Sequence, residues 1–437
     1  MKSFRCLICA LLVASLLTAC VPLNEESAVS VDPQVSDTSQ DSSPSQDKEN
    51  DGAKRVYISC TQEINKDVYV NARVRIVDPS GKYETIDDSE AEIKVRGNST
   101  SSAPKKPYNI RLTESTSVFG MGGSKKWCLL SNPYDKTLMR NKLSYDMADA
   151  MGMSYVSESE YVDLYVNGSY RGNYLLVESV GVGKDRVDID IEDNDFLLEY
   201  EPWPEYSNPS SFYTPVCNIL LGFNDRTEPT PQQLRYAEDF FAELEGFLVA
   251  GDYSASSELM DMRSFVDFYI VNELFKNVDM GTSSTRYYLR DGVLYAGPVW
   301  DLDLSAGNCS ASYYEDYNNV GGSGDSTEGI YAAAQWYPLL FEMPEFVSAL
   351  YERYLELQPL IVNLTTDNEL GVNRIDRLID KYGESFESNY RQGRWKIDVV
   401  YSDLERIPDP TFEENVEYMR DWLIRRNEWL LEHWGLA

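Results

Sequence analysis

Three aspartates near the middle of the chain carry the densest chemistry in the sequence. Asp301 and Asp303 sit two apart in the otherwise apolar run "PVWDLDLSAGN" (Pro298–Asn308), and Asp279 closes the segment "NELFKNVD" about twenty residues earlier. Side chains two apart on a strand point to the same face, so a strand end would present Asp301 and Asp303 together. Like charges on one face repel unless a cation, a lysine or an arginine stands between them. Oxygen-only ligands suit Mg2+ or Mn2+ rather than zinc, and Mg2+ commonly takes one or two carboxylates plus phosphate oxygens. The competing reading is a polar rim on a strand end, and residue types alone leave both open.

A second segment offers the opposite charge. "KVRGNSTSSAPKKPYNIRL" places Arg96, Lys105, Lys106 and Arg111 around a loop of Gly, Ser, Thr and Asn. Such a loop can turn backbone N–H groups toward phosphates, with lysines nearby as charge. A hairpin loop with solvated lysines is the plainer alternative.

Composition narrows the chemistry further. The chain has 39 basic and 72 acidic residues, a formal net charge of −33, which argues against nucleic-acid partners and against a polybasic membrane contact. The only histidine is His433, so Ser-His-Asp, Cys-His and HExxH chemistries are excluded as working hypotheses. Catalysis would fall to carboxylates, lysines, arginines and a metal. Cys60, Cys128, Cys217 and Cys309 are scattered without a CxxC pair, which argues against zinc and leaves any disulfide pairing unread.

The N-terminus reads as an address. "MKSFRCLICALLVASLLTAC" has a short positive start, an apolar run too short to span a bilayer, and an ending that resembles the lipobox of bacterial lipoproteins. Residues 1–20 are therefore expected to be a lipoprotein signal peptide, with Cys20 lipidated; an ordinary secretory signal is the alternative. Lipidation would tether the protein to the outer face of the cell membrane without spanning it. Residues 21–54 are rich in Ser, Asp, Gln and Pro, a composition expected for a disordered tether.

The remaining residues, 55–437, must position these groups. "VYVNARVRIVD" and "AEIKVRG" alternate at period two, and "KKPYNIRL" and "KKWCLLSN" read as further strands. "DKTLMRNKLSYDMADAMG" carries a helical apolar stripe. "EYVDLYVNGSYRGNYLLVESV" is a hairpin turning at Asn167-Gly168, and "TRYYLRDGVLYAGPVWDLDL" is another turning at Asp291-Gly292. "DFLLEYEPW" adds a strand. "QQLRYAEDFFAELEGFLVAG" is an amphipathic helix, "SFVDFYIVNELFKNVD" a buried one, and the remainder is mostly helical. A strand-rich half followed by a helix-rich half is an α+β pattern.

In order and spacing, "RGNST…KKPY", "LMRNK", "NGSYRGNY" and "PVWDLD" resemble the CotH family, spore-coat atypical protein kinases and their secreted relatives. The resemblance implies a two-lobed atypical protein-kinase-like fold, with an N-lobe at about 55–201 and a C-lobe at about 202–437. It implies ATP and Mg2+ (or Mn2+) between the lobes and a protein substrate. By position Asp279 matches the catalytic aspartate and Asp301 the metal-binding one, with Asp303 and Asn308 as further metal candidates. Lys105, Lys106 and Arg96 are candidates for phosphate contacts, and Arg140 and Lys142 for phosphates or structural ion pairs. The chain departs from the pattern where spore-coat members carry an asparagine five residues after the catalytic aspartate: here stands Ser284, a poorer metal ligand. Two other functions remain in view. One is a surface binding or scaffold module that keeps the fold alone, for which 31 tyrosines and 8 tryptophans leave room. The other is a glycan-active enzyme using paired carboxylates, which leaves the RGNST and KKPY segments unexplained.

Overall fold

Alternation at period two governs the first half of the fold. In β2 (Val70–Val77) every second residue is buried, and the same pattern recurs along its neighbours. The strands are β1 (Arg55–Ser59), β2, β3 (Ile86–Val95), β4 (Tyr108–Thr116), β5 (Ser124–Leu130), β6 (Ser159–Val166) and β7 (Ser169–Glu178). They close into a barrel in the order β1-β2-β3-β4-β5-β7-β6. Closure comes from a parallel pairing of β1 with β6, from Arg55 opposite Asp163 to Ile58 opposite Val166. Its interior is filled by Val56, Val74, Ile93, Ile110, Trp127, Leu164 and Leu176. The β6–β7 hairpin turns at Asn167 and Gly168, both at positive φ, as a two-residue turn matching strand twist requires. Helix α1 (Arg140–Ala150) lies between β5 and β6 in the chain.

The computed structural model describes residues 52–201, 203, 210–224, 228–281, 283–311, 323–329, 334–391 and 394–437. Cys20, the signal segment and nearly all of the tether lie outside them. The described residues belong to one contact unit.

A second sheet has the order β12-β11-β8-β10-β9. It joins β8 (Phe196–Tyr200), β9 (Phe212–Tyr213), β10 (Leu220–Phe223), β11 (Arg286–Arg290) and β12 (Val293–Ala296). Thus β8, assigned from sequence to the strand-rich half, pairs with the hairpin embedded in the helical half. Helices α2 (Pro231–Ala250), α3 (Tyr253–Leu259) and α4 (Met262–Phe275) precede that hairpin. Helices α5 (Tyr337–Leu340), α6 (Pro344–Glu356), α7 (Gln358–Val362), α8 (Arg374–Tyr390) and α9 (Phe412–His433) follow it. All of α4 except Arg263 and Ser264 is buried, its polar Asp267, Asn272 and Glu273 included. Both α2 and α9 begin with a reciprocal capping box, Thr230–Gln233 and Thr411–Glu414. The result is an α+β fold whose strand-rich part is a closed barrel.

Candidate functional site

Helix α4 ends earlier than its sequence pattern suggests. Lys276 takes the left-handed conformation (φ 48°) and returns its N–H to the carbonyls of Asn272 and Glu273, which stops the helix at Phe275. Asp279 therefore lies in the turn that follows, its N–H donating to Asn277 Oδ1 (3.1 Å) and its carbonyl accepting from Ser283 N–H (2.9 Å).

The two aspartates of "WDLD" require a correction. They are not a strand-end pair, because β12 stops at Ala296 and Asp301 itself is left-handed at φ 64°. They sit on an irregular loop, so period-two alternation does not set their directions. The loop is held by side chains from two helices and a backbone carbonyl from a third. From α1, Arg140 donates to the carbonyls of Ser305 (2.8 Å) and Ala306 (3.1 Å), and Asn141 Oδ1 accepts the Leu302 N–H (2.7 Å). From the end of α4, the Phe275 carbonyl accepts the Ala306 N–H. From α9, the Tyr418 hydroxyl donates to the Gly307 carbonyl (3.2 Å) and Trp422 packs against Gly307, where a Cβ would lie 2.5 Å from the indole.

Electrostatics tie the three aspartates together. Burial, and then the neighbouring Asp301, push the Asp279 carboxyl up to about 7. Burial, then Asp301, Asp279 and Asp135, raise Asp303 well above the carboxylate range. Asp301 accepts the Ser284 hydroxyl at 3.0 Å, so the residue that departs from the spore-coat pattern faces the candidate metal ligand. Among the described residues no group of three or more His, Cys, Asp or Glu is arranged closely enough to hold a metal ion.

A profile of the CotH kinase protein family matches residues 93–430. The chain belongs to this family. No curated protein matches it. Membership makes a kinase-like activity the expected class and, in general, brings a nucleotide and a divalent metal. The CotH match begins within β3, so β1 and β2, which complete the barrel, precede it. The donors here fit a hard divalent cation in kind: three carboxylates and a hydroxyl, all oxygen, with the Asp279 and Asp303 carboxyls raised by burial and then by neighbouring negative charge that a cation would offset.

The basic residues of the CotH motifs divide into two groups. Arg96 lies beside the acidic centre, its guanidinium 5.5 Å from the Trp300 ring centroid, while Arg286 approaches the same ring at 5.7 Å and pairs with Glu199 (2.9 Å). Gly97 turns the chain there at φ 85°, and a Cβ would overlap the Thr100 hydroxyl. The Tyr134 phenol, raised by burial, also feels Ser99, the charge of Asp303 and Ser402. The small-residue loop thus reaches the rim of the centre. Lys106 donates to the Ser101 carbonyl (2.8 Å) and braces that loop from within.

The other basic residues are engaged elsewhere. Lys105 is buried, donates to the Asn173 carbonyl (2.5 Å), lies over the Tyr174 ring and faces Asp163; burial holds its amine well below the usual lysine range. Arg140 forms a buried pair with Asp135 (2.6 Å), and Lys142 pairs with Asp146 (2.7 Å) one turn along α1. Asn308 directs its amide N–H groups to the carbonyls of Tyr134 (3.2 Å) and Asp303 (2.7 Å), bracing the loop.

Sequence reasoning missed Asn141, Tyr145, Trp300, Arg286 and Lys276. The first two are four apart on α1, a spacing that puts them on one face. Among the described residues Cys60, Cys128 and Cys309 form no disulfide. No helix among the described residues is long and apolar enough to cross a membrane.

Proposed function

We propose that this CotH-family protein transfers the γ-phosphoryl group of ATP to a Ser or Thr hydroxyl of a surface or secreted protein, with Mg2+ or Mn2+, on a two-lobed kinase-like frame. In this reading the barrel is the N-lobe and the helices with the second sheet are the C-lobe. The carrying observation is that two separate loops bring Asp279 and Asp303 to Asp301, which accepts the Ser284 hydroxyl and whose charge, after burial, raises both neighbouring carboxyls.

Phosphoryl transfer asks the protein for positioning and charge stabilisation more than covalent chemistry. Asp279 orients the acceptor hydroxyl and takes its proton, a task suited to a carboxyl poised near 7. Asp301 and Asp303 would hold the divalent ion. That ion, when bound, supplies neutralisation of the phosphate oxygens. Arg96 and N–H groups of the Gly97–Ser101 loop would meet the phosphates, and Lys106 keeps that loop in shape. The lipid anchor at Cys20 would keep the domain at the outer membrane face.

A second reading, a binding module that retains the fold with little catalysis, is favoured by two features. Lys105 is turned into the interior, and Ser284 stands where a better metal ligand is expected.

Incubating the full-length protein with γ-labelled ATP, either metal and a mixture of Ser/Thr peptides separates the two. Label on peptide or on the protein itself, absent in Asp279→Ala and Asp301→Ala, is the expected result. A folded wild-type protein that transfers no label with either metal would leave the binding module.

A further inference from the structure

We infer that Asn141 is a positioning residue: it sets the direction of the Asp301 carboxylate by holding the peptide that joins Asp301 to Leu302. This rests on the proposed role of Asp301 in binding the divalent ion.

The loop from Trp300 to Asn308 contains three residues at positive φ: Asp301 (64°), Ala306 (44°) and Gly307 (75°). For a non-glycine residue this conformation is costly and persists only where the surroundings impose it. At Ala306 and Gly307 the imposing groups are Arg140, Phe275 and Trp422. At Asp301 they are Asn141 and Tyr145. The Leu302 N–H donates to Asn141 Oδ1 at 2.7 Å, and the Asp301 N–H points to the Tyr145 hydroxyl at 3.4 Å. The shorter bond fixes the plane of the 301–302 peptide, hence ψ of Asp301 and the side from which its carboxylate meets Ser284.

The amide itself is locked. Asn141 Nδ2 donates to Asn132 Oδ1 (3.2 Å), and Asn132 Nδ2 in turn donates to the Leu138 carbonyl (3.1 Å). Flipping the Asn141 amide would set its NH2 against the Leu302 N–H and its oxygen against Asn132 Oδ1, so only one orientation satisfies both neighbours. Asn141 is 2 % exposed, which leaves no solvent to replace a lost partner. A neutral acceptor also suits the place, since a carboxylate would add a fourth negative charge beside Asp279, Asp301 and Asp303. The "RN" of "LMRNK" thus acts on the metal-binding loop, Arg140 on its far limb and Asn141 on the turn at Asp301.

The test compares wild type, Asn141→Ala, Asn141→Asp and Leu143→Ala in the full-length protein. Leu143 is fully buried on the same helix and serves as a control for loss of packing alone. Hydrogen exchange at the Leu302 amide is read first, without ligand, and Mn2+ affinity second. Asn141→Ala is expected to speed exchange at Leu302 well beyond Leu143→Ala and to weaken Mn2+ binding by about tenfold or more. Asn141→Asp, which keeps the acceptor, retains the protected amide. Exchange at Leu302 no faster in Asn141→Ala than in Leu143→Ala would overturn the inference, as would a released amide with unchanged Mn2+ affinity. A wild-type protein that binds no Mn2+ would instead remove the metal site itself, and the role of Asn141 with it.

Discussion

Two clusters of charge, one fully buried and one partly buried, lie near the C-terminal end of α4, and they are built on opposite rules. In the first, Glu273 and Arg426 are both fully buried and meet at 2.5 Å. Arg426 also reaches the carbonyls of Glu273, Thr327 and Gly329, while Lys276 donates to those of Ser323, Ser326 and Glu328. Every charge there meets an opposite charge or a carbonyl, and the product is a pinned loop and a docked C-terminal helix. Three residues beyond Lys276 begins the second cluster, where Asp279, Asp301 and Asp303 crowd one another and two of them are driven toward the neutral form. A buried cluster that balances itself serves the fold. One that gathers like charge lowers stability and is retained for what it binds.

The largest test of this contrast lies in the balanced cluster. Arg426→Met should lower unfolding free energy by about 3–5 kcal/mol, because it strands Glu273 without its partner. Urea titration measures it, and a loss under about 1 kcal/mol would mean the pair is not the anchor described. Next comes the seam between α9 and the acidic loop. Gly307→Ala places a Cβ against Trp422 at φ 75° and should cost about 2 kcal/mol by the same titration, with no change in the slope against urea. A silent substitution would show that Trp422 does not hold the loop.

The smallest effect has the opposite sign. A carboxyl whose pKa is raised in the native state binds its proton more tightly there than in the unfolded chain. Its contribution is whole below the unfolded pKa and is lost as pH rises through the folded one. For Asp279 that window runs from 3.8 to about 7. Removing one charge by Asp303→Asn should therefore stabilise the metal-free protein by about 1 kcal/mol at pH 8 and leave it unchanged near pH 3. Destabilisation at pH 8 would show that Asp303 is an ordinary hydrogen-bonded core residue.

Much of the fold was legible because it rests on local signals. Period-two alternation marked the strands, and Asn167-Gly168 and Asp291-Gly292 marked both hairpins. Non-local pairings were not legible. No local pattern announces that β1 runs parallel to β6, or that β8 lies beside β11 some ninety residues later. The same divide runs through the site. Asp279, Asp301 and Asp303 stood out as residue types at a recognisable spacing, yet the placement of Asp301 and Asp303 on a strand end failed, since a single left-handed residue cancels alternation. Lys105 and Lys106 look equivalent in "KKPY". Both lie before β4, where the chain bends, and one faces Asp163 in the interior while the other braces the Ser101 loop. Asn141 was illegible because its partner is a backbone N–H 161 residues away.

The central claim is that the acidic centre is a cation site. Thermal unfolding of the full-length protein with and without Mn2+ at pH 8 tests it most directly, with Asp301→Ala alongside. The account predicts a midpoint that rises with Mn2+ in the wild type and stays flat in Asp301→Ala. A flat wild-type response, or an equal rise in both, would contradict it.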